Sequence, residues 1–127
     1  MANKAKVATT KNPSRAERPE TTAIVLQIAA DRATDFEAMF EAEEIPIWDD
    51  FTRRGRSLQA RLVRASGGSE QRGGMQDYLL HIVAADHVAH EEHDRDPRFR
   101  AFLAKAERLQ PRPPLVWFGD TIFERRK

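Results

Sequence analysis

The sequence contains no cysteine, which excludes disulfide bonds, thiolate catalysis and zinc–thiolate sites. It also lacks a strong excess of either charge, since 21 basic and 20 acidic residues give a net charge of +1 at pH 7. This near balance argues against a dedicated nucleic-acid-binding protein, which is usually strongly basic. No apolar run approaches the roughly 18 residues that cross a bilayer, and the N-terminus has no secretory-type apolar stretch. We therefore expect a cytoplasmic protein with no membrane or nucleic-acid partner.

The first twenty residues differ in composition from the rest. Residues 1–19 carry five lysines and arginines against one glutamate, a net charge of +4, so the remainder carries −3. The segment 1–20 is polar and has no periodic apolar pattern, which predicts a disordered basic tail. A basic arm that touches phosphate or an acidic partner is the alternative. Residues 21–127 have the length of one domain.

Between Thr22 and Glu124 the hydrophobic pattern predicts the order strand, helix, strand, strand, helix, strand. The predicted strands are Thr22–Ala30, Ser57–Ala65, Tyr78–Ala84 and a last strand that begins at Leu115–Phe118 and resumes after Gly119 through Ile122 and Phe123. A glycine-rich connection, residues 66–74, joins the second strand to the third. Because it lacks the Gly-Lys-Ser/Thr ending of a P-loop, it does not predict a phosphate site.

Local signals place the ends of both helices. Thr34 and Glu37 have the spacing of a capping box, Pro46 should kink or interrupt the first helix, and Gly55 should end it. In the second helical segment, Asp86 is a predicted N-cap, and Asp96 followed by a proline predicts that the helix restarts there.

This order of elements predicts an α+β fold: a ferredoxin-like βαββαβ sandwich with an antiparallel four-stranded sheet and two helices on one face. The other sheet face would carry large apolar residues, which are costly to leave in water. Stacking two copies face to face removes that cost, so we expect a homodimer through the sheet face that closes a dimeric α+β barrel. A cavity between sheet and helices, or within the barrel, would take a small apolar or aromatic ligand.

His81 is the candidate catalytic residue that the pattern favours most. It lies in the middle of the third strand, and by alternation it can meet Gln27, Arg61 and Trp117 on one face. An imidazole there can act as a general base on an acidic carbon or phenol. The alternative is a core histidine satisfied by one hydrogen bond. Tyr78 can donate a proton in a pocket or lie at its rim.

Three histidines follow one another at steps of three in the second helical segment: His87, His90 and His93. Steps of three bring neighbours close but rotate the outer two apart, and the pattern is not His-Glu-x-x-His. His90 with His93, or His87 with Glu91, can supply two metal ligands. A solvated, charged helix start is the favoured interpretation, so the sequence predicts no metal or other cofactor.

The segment from Asp86 to Phe99 carries a resemblance to a known family. Its polar opening residue, His93, the turn at Pro97 and the aromatic Phe99 resemble the antibiotic-biosynthesis-monooxygenase-type proteins of the dimeric α+β barrel superfamily. Arg98 stands where that family often has a second histidine.

The resemblance implies a small-molecule enzyme of the monooxygenase-like type that acts on an aromatic or polyketide-like substrate and needs no cofactor. His81 would then be the base, and His93 would position a second polar group or a water. Gln27, Arg61, Tyr78 and Trp117 would bind the substrate. The alternative function is a non-catalytic dimeric module that binds a small ligand or serves in stress.

Overall fold

The computed structural model describes residues 17–70 and 72–127 of the chain. The predicted tail falls mostly on residues 1–16, which lie outside the described residues. The predicted tail also includes Glu20, and this part of the prediction is wrong, because Glu20 is the first residue of the first strand and is buried.

Four strands form one antiparallel sheet in the order β2-β3-β1-β4, which confirms the predicted ferredoxin-like α+β arrangement. The strands are β1 (Glu20–Ala29), β2 (Ser57–Arg64), β3 (Met75–Ala84) and β4 (Leu115–Gly119). The helices are α1 (Ala33–Met39), α2 (Ile45–Arg53), α3 (His87–Arg95) and α4 (Pro97–Glu107). No helix of the described residues is long and apolar enough to cross a bilayer.

The crossing between β1 and β2 is one long helical segment with a local change of pitch. It begins with a 3-10 turn at Ala30–Arg32, continues through α1, and passes through a π-helical turn at Phe40–Glu44 into α2. Pro46 lies in the first turn of α2, where its missing N–H is tolerated, directly after the π-helical turn. The backbone stays helical there, so the predicted kink or interruption takes the form of a change of pitch. Gly55 follows the helix with a φ of 73°, a left-handed conformation that favours glycine.

The predicted capping box is wrong. The helix begins before Thr34, and no side chain caps α1. The carboxylate of Glu37 instead accepts hydrogen bonds from Arg64 and Tyr78 on the sheet. The charged guanidinium of Arg64 and the buried hydroxyl of Tyr78 bind this carboxylate more strongly than a solvent-exposed backbone N–H at the start of the helix would.

Both predicted caps of the second helical segment are confirmed. The Asp86 carboxylate accepts from the backbone N–H of Ala89 at 2.7 Å, and the Asp96 carboxylate accepts from that of Arg98 at 2.8 Å. The backbone at Asp96 is extended, so the segment divides there into α3 and α4.

The predicted continuation of β4 beyond Gly119 is wrong. Gly119 pairs with Thr21, and β1 begins only one residue before Thr21. The residue before β1 is a proline, which has no N–H to donate, so β1 offers no further partner to the chain beyond Gly119. Side-chain contacts replace the ladder there, with Arg18 donating to Asp120 at 2.7 Å. Ile122 and Phe123 are exposed.

The two faces of the sheet have different surroundings. The helices cover one face, where the buried core is formed by Leu26, Ile28, Phe36, Phe40, Tyr78, Phe102 and Ala106. The opposite face, which we call the open face, is not covered by the described residues and carries side chains such as Leu79 and Trp117.

Candidate functional site on the open sheet face

His81 lies at the centre of the open face. The strand register places Arg61 beside it on β2, Ala23 beside it on β1, and Trp117 next to Ala23 on β4. Directly paired residues project to the same side of a sheet, so these four side chains form one row. The sequence prediction that His81, Arg61 and Trp117 share a face is therefore confirmed.

An apolar row runs beside the histidine row. Val63, Leu79, Val25 and Leu115 pair across the four strands in that order. Leu79 is 44% exposed and Leu115 is 50% exposed. Trp117, in the histidine row, is 61% exposed and lines a shallow groove between β1 and β4. The open face thus offers an imidazole and a guanidinium beside a broad apolar platform.

Three polar atoms of the open face are buried and have no hydrogen-bond partner in the described part of the chain. They are Nδ1 of His81, Oε1 of Gln27 and Oδ1 of Asp77. Gln27 pairs with Asp77 across β1 and β3, so both lie on the same face as His81. Buried polar groups are nearly always paired, so each of these atoms can form a hydrogen bond with a group outside the described residues.

His93 and Tyr78, the other two predicted site residues, do not join this row. Tyr78 belongs to the alternate set of β3 residues that pack in the core, and it is buried rather than at a rim. His93 contacts Phe51 and Phe99, with the Phe99 ring centroid 4.3 Å away. His81 and His93 of one chain therefore lie on opposite sides of the sheet, so His93 does not position a polar group or a water beside His81, the role that the resemblance implied for it.

On the helix side, His93 forms a buried polar cluster with Glu44. Its Nε2 lies 2.7 Å from Oε2 of Glu44, and Trp48 Nε1 donates to the same oxygen at 2.8 Å. Burial alone would lower the pKa of His93, but the hydrogen bonds to Asp94 and Glu44 outweigh it and raise the pKa to about 9. This arrangement holds α3 against the π-helical turn that precedes α2 with a charged imidazole.

Tyr78 forms a second cluster on that side. Its hydroxyl donates to Oε2 of Glu37 at 2.5 Å, and Arg64 Nε donates to the same oxygen at 2.7 Å. The bonds from Arg64 and Tyr78 lower the pKa of Glu37 to about 2. Burial and the neighbouring carboxylate raise the pKa of Tyr78 to about 12, which makes it a poor proton donor near neutral pH.

Sequence reasoning missed three glutamates that bind side chains on the helix side of the sheet. Glu20, Glu37 and Glu44 each bind side chains from distant segments. A signal existed for Glu20, because it continues the alternation of Thr22, Ile24 and Leu26 toward the helices. Nothing local distinguishes Glu37 or Glu44 from the exposed acidic residues around them.

Solved structures match the chain over most of its length. Rv0793 from Mycobacterium tuberculosis is 20% identical, with a TM-score of 0.65, and covers 84% of this chain and 97% of its own. A structure of an antibiotic biosynthesis monooxygenase is 11% identical, with a TM-score of 0.62, over 81% and 98% of the two chains. A variant of SnoaB, a cofactor-independent oxygenase from Streptomyces nogalater, is 17% identical, with a TM-score of 0.61, over 84% and 95%.

The chain has the fold of the antibiotic biosynthesis monooxygenases. No protein-family model matches the sequence, and no curated protein matches it. The resemblance read from the segment Asp86–Phe99 is therefore confirmed for the fold, while identities of 20% or less carry no activity with them. On this fold, chemistry has to be argued from the side chains.

Proposed function

We propose that this protein is a small-molecule oxygenase of the monooxygenase-like type that acts without a cofactor on an aromatic or polyketide-like compound. The observation that carries the proposal is His81, an imidazole with an unpartnered buried Nδ1, at the centre of an apolar sheet face. No hydrogen bond from a described residue holds Nδ1 in one protonation state. The ring is free to take a proton from a bound molecule and to return it.

The reaction needs no electrons from outside the substrate. His81 removes a proton from an acidic C–H group, which leaves a carbanion delocalised over the aromatic system. The carbanion adds to O₂, a C–O bond forms, and the imidazolium returns its proton to the peroxide. Loss of water from the resulting hydroperoxide converts CH₂ and O₂ into C=O and H₂O. The apolar row of the open face would keep water from the carbanion.

Arg61 and Trp117 support this chemistry from the two sides of His81. The Arg61 guanidinium can stabilise the negative charge that develops on the substrate. Trp117 presents an exposed indole on which an aromatic substrate can stack. Gln27 lies further along the same face, with an unpartnered Oε1 that can accept from a substrate hydroxyl.

The same observations favour a homodimer through the open face. In a single chain, Leu79, Leu115 and Trp117 remain in contact with water. A second copy placed face to face would bury them and enclose the histidine row between two sheets. A substrate held there would be enclosed by both copies.

The proposal is tested with an anthrone, whose acidic methylene lies between aromatic rings, by following O₂ uptake and quinone formation. We expect His81→Ala to lower the rate of the protein-dependent reaction by about 100-fold or more. Arg61→Gln should lower it, whereas Arg53→Gln, at an exposed arginine on α2, should leave it unchanged. Full activity in a folded His81→Ala protein would refute the base. Tight anthrone binding without O₂ uptake would favour the non-catalytic binding module.

A further inference from the structure

Glu20, His87 and His90 converge at the end of the sheet where β1 begins. His87 Nδ1 lies 2.9 Å from Oε2 of Glu20, and His90 Nδ1 contacts Oε1 of the same carboxylate. One candidate ligand atom from each residue lies within 4.8 Å of the other two. The glutamate side chain is 2% exposed, so the two imidazoles meet a carboxylate that is almost fully removed from water.

A second layer of carboxylates holds the far side of both rings. His90 Nε2 lies 3.1 Å from Asp94, and His87 Nε2 lies 3.6 Å from Glu91, each one helical turn further along α3. Both rings therefore turn Nδ1 toward Glu20 and Nε2 toward a carboxylate. Metal-binding histidines in proteins are oriented by the same device, in which the non-ligating nitrogen donates to a carboxylate.

The surroundings leave one side accessible. The ring of Phe118 lies 5.4 Å from that of His90 and 6.1 Å from that of His87, and so forms an apolar wall. His87 is 31% exposed and His90 is 18% exposed, so an ion can enter from solvent past the histidines. This group of three residues differs from both ligand pairs that the sequence suggested, because Glu20 lies 67 and 70 residues before the two histidines in the chain.

We infer that Glu20, His87 and His90 form a binding site for a divalent transition-metal ion such as Zn²⁺. Two imidazole nitrogens and one carboxylate oxygen are a ligand set that suits Zn²⁺ and its first-row neighbours. Metal–ligand distances of about 2.1 Å in a tetrahedral site place the ligand atoms about 3.4 Å apart, so both imidazoles have to move away from the carboxylate to admit an ion, His87 by about 0.5 Å and His90 by more. Three protein ligands leave one position for water or a small molecule.

The site is independent of the proposed oxygenation. Glu20 and the two histidines lie on the helix side of the sheet, whereas His81 lies on the open face. The competing explanation is a metal-free ion pair, in which a protonated histidine neutralises the buried Glu20. The two explanations differ in whether the full chain takes up a metal ion at these residues.

The test uses the full, untagged chain and two probes, Zn²⁺ by titration calorimetry and Co²⁺ by its visible absorption. We expect one ion per chain with a dissociation constant of about 10 μM or tighter, and histidine-nitrogen ligation in the Co²⁺ spectrum. Glu20→Gln and His90→Gln should each weaken binding at least about tenfold, and Asp94→Asn should weaken it less. His93→Gln removes a histidine from the same helix but not from the site, and should bind as the wild type does.

Two results would overturn the inference. One is a wild-type dissociation constant weaker than about 100 μM for both ions. The other is wild-type affinity that survives in both Glu20→Gln and His90→Gln, which would place the ion elsewhere. Circular dichroism checks that each variant is folded. If Glu20→Gln does not fold, perturbation of the His87 and His90 ring signals by Zn²⁺ in the wild-type NMR spectrum decides the matter, and unchanged signals count against the site.

Discussion

The protonated His93 should make the stability of this protein fall as the pH rises above neutrality. His93 is 17% exposed, and its partner Glu44 is 3% exposed. Hydrogen bonds to Asp94 and Glu44 raise the pKa of His93 to about 9 against the opposing effect of burial. In the unfolded chain the same ring has a pKa of about 6.5. Between these two values the folded protein binds a proton that the unfolded chain does not.

The sign and size of the effect follow from proton linkage. Because the folded state binds more protons, the His93 contribution is fully present below pH 6.5 and is lost as the pH rises through about 9. A difference of about 2.5 pH units corresponds to about 3 kcal/mol. Since the ring retains some contact with water, we expect about 2 kcal/mol in practice.

The perturbation is His93→Gln, which keeps an N–H donor for Glu44 but does not titrate. Urea unfolding of wild type and variant is measured from pH 6 to pH 10. We expect the wild type to be the more stable protein at pH 6, and the difference to shrink by about 2 kcal/mol by pH 10. Comparison with the variant removes the pH dependence of His90, whose pKa is also raised to about 9.

A direct titration provides the control. The His93 ring signals in the NMR spectrum should titrate near pH 9 in the wild type and at lower pH in Glu44→Gln, since that change removes one of the two carboxylates. A stability difference between wild type and His93→Gln that stays constant from pH 6 to pH 10 would refute the reasoning. So would a His93 signal that titrates near pH 6.5 in the folded wild type.

Three further predictions test the sheet and the turns. Leu79→Glu should weaken the proposed dimer by about 100-fold or more in native mass spectrometry. The control Val88→Glu, on α3, should leave the dimer unchanged, although Val88 is as exposed as Leu79 (45% against 44%). Equal effects of the two substitutions would refute the open face as the interface. Tyr78→Phe should lower the free energy of unfolding by about 1 kcal/mol, through loss of its hydroxyl hydrogen bond, and an unchanged urea midpoint would contradict this. Gly55→Ala should lower the free energy of unfolding by about 1 kcal/mol, because φ at Gly55 is 73°. Gly68→Ala should lower it little, since Gly68 has no positive φ and a methyl group there meets open space. Equal melting temperatures of the two variants would contradict this difference.

Local signals were sufficient for the order of elements and for several of their ends. Asp86, Asp96 and Gly55 act within a few residues of themselves, so their effects can be read without the fold. The alternation in β2 and β3 also placed His81 on the same face as Arg61, since strand pairing preserves that periodicity. The end of β4 could not be predicted in this way, because it depends on where its partner strand begins.

The tertiary structure decided which polar groups meet. Thr34 and Glu37 have the spacing of a capping box, yet Glu37 binds Arg64 and Tyr78, 27 and 41 residues away. His87 and His90 were predicted to lie at a solvated helix start, but they contact the buried Glu20.

The sequence alone therefore determined the α+β class, the strand order expected from it and an apolar sheet face with a histidine at its centre. These follow from periodicity and capping, which act over a few residues. Only the fold decided that His81 and His93 lie on opposite sides of the sheet and that Glu20 joins two histidines about 70 residues away. Contacts between residues so far apart in sequence depend on how the helices pack on the sheet, because a buried charged group has to pair with a polar group that the packing brings close to it.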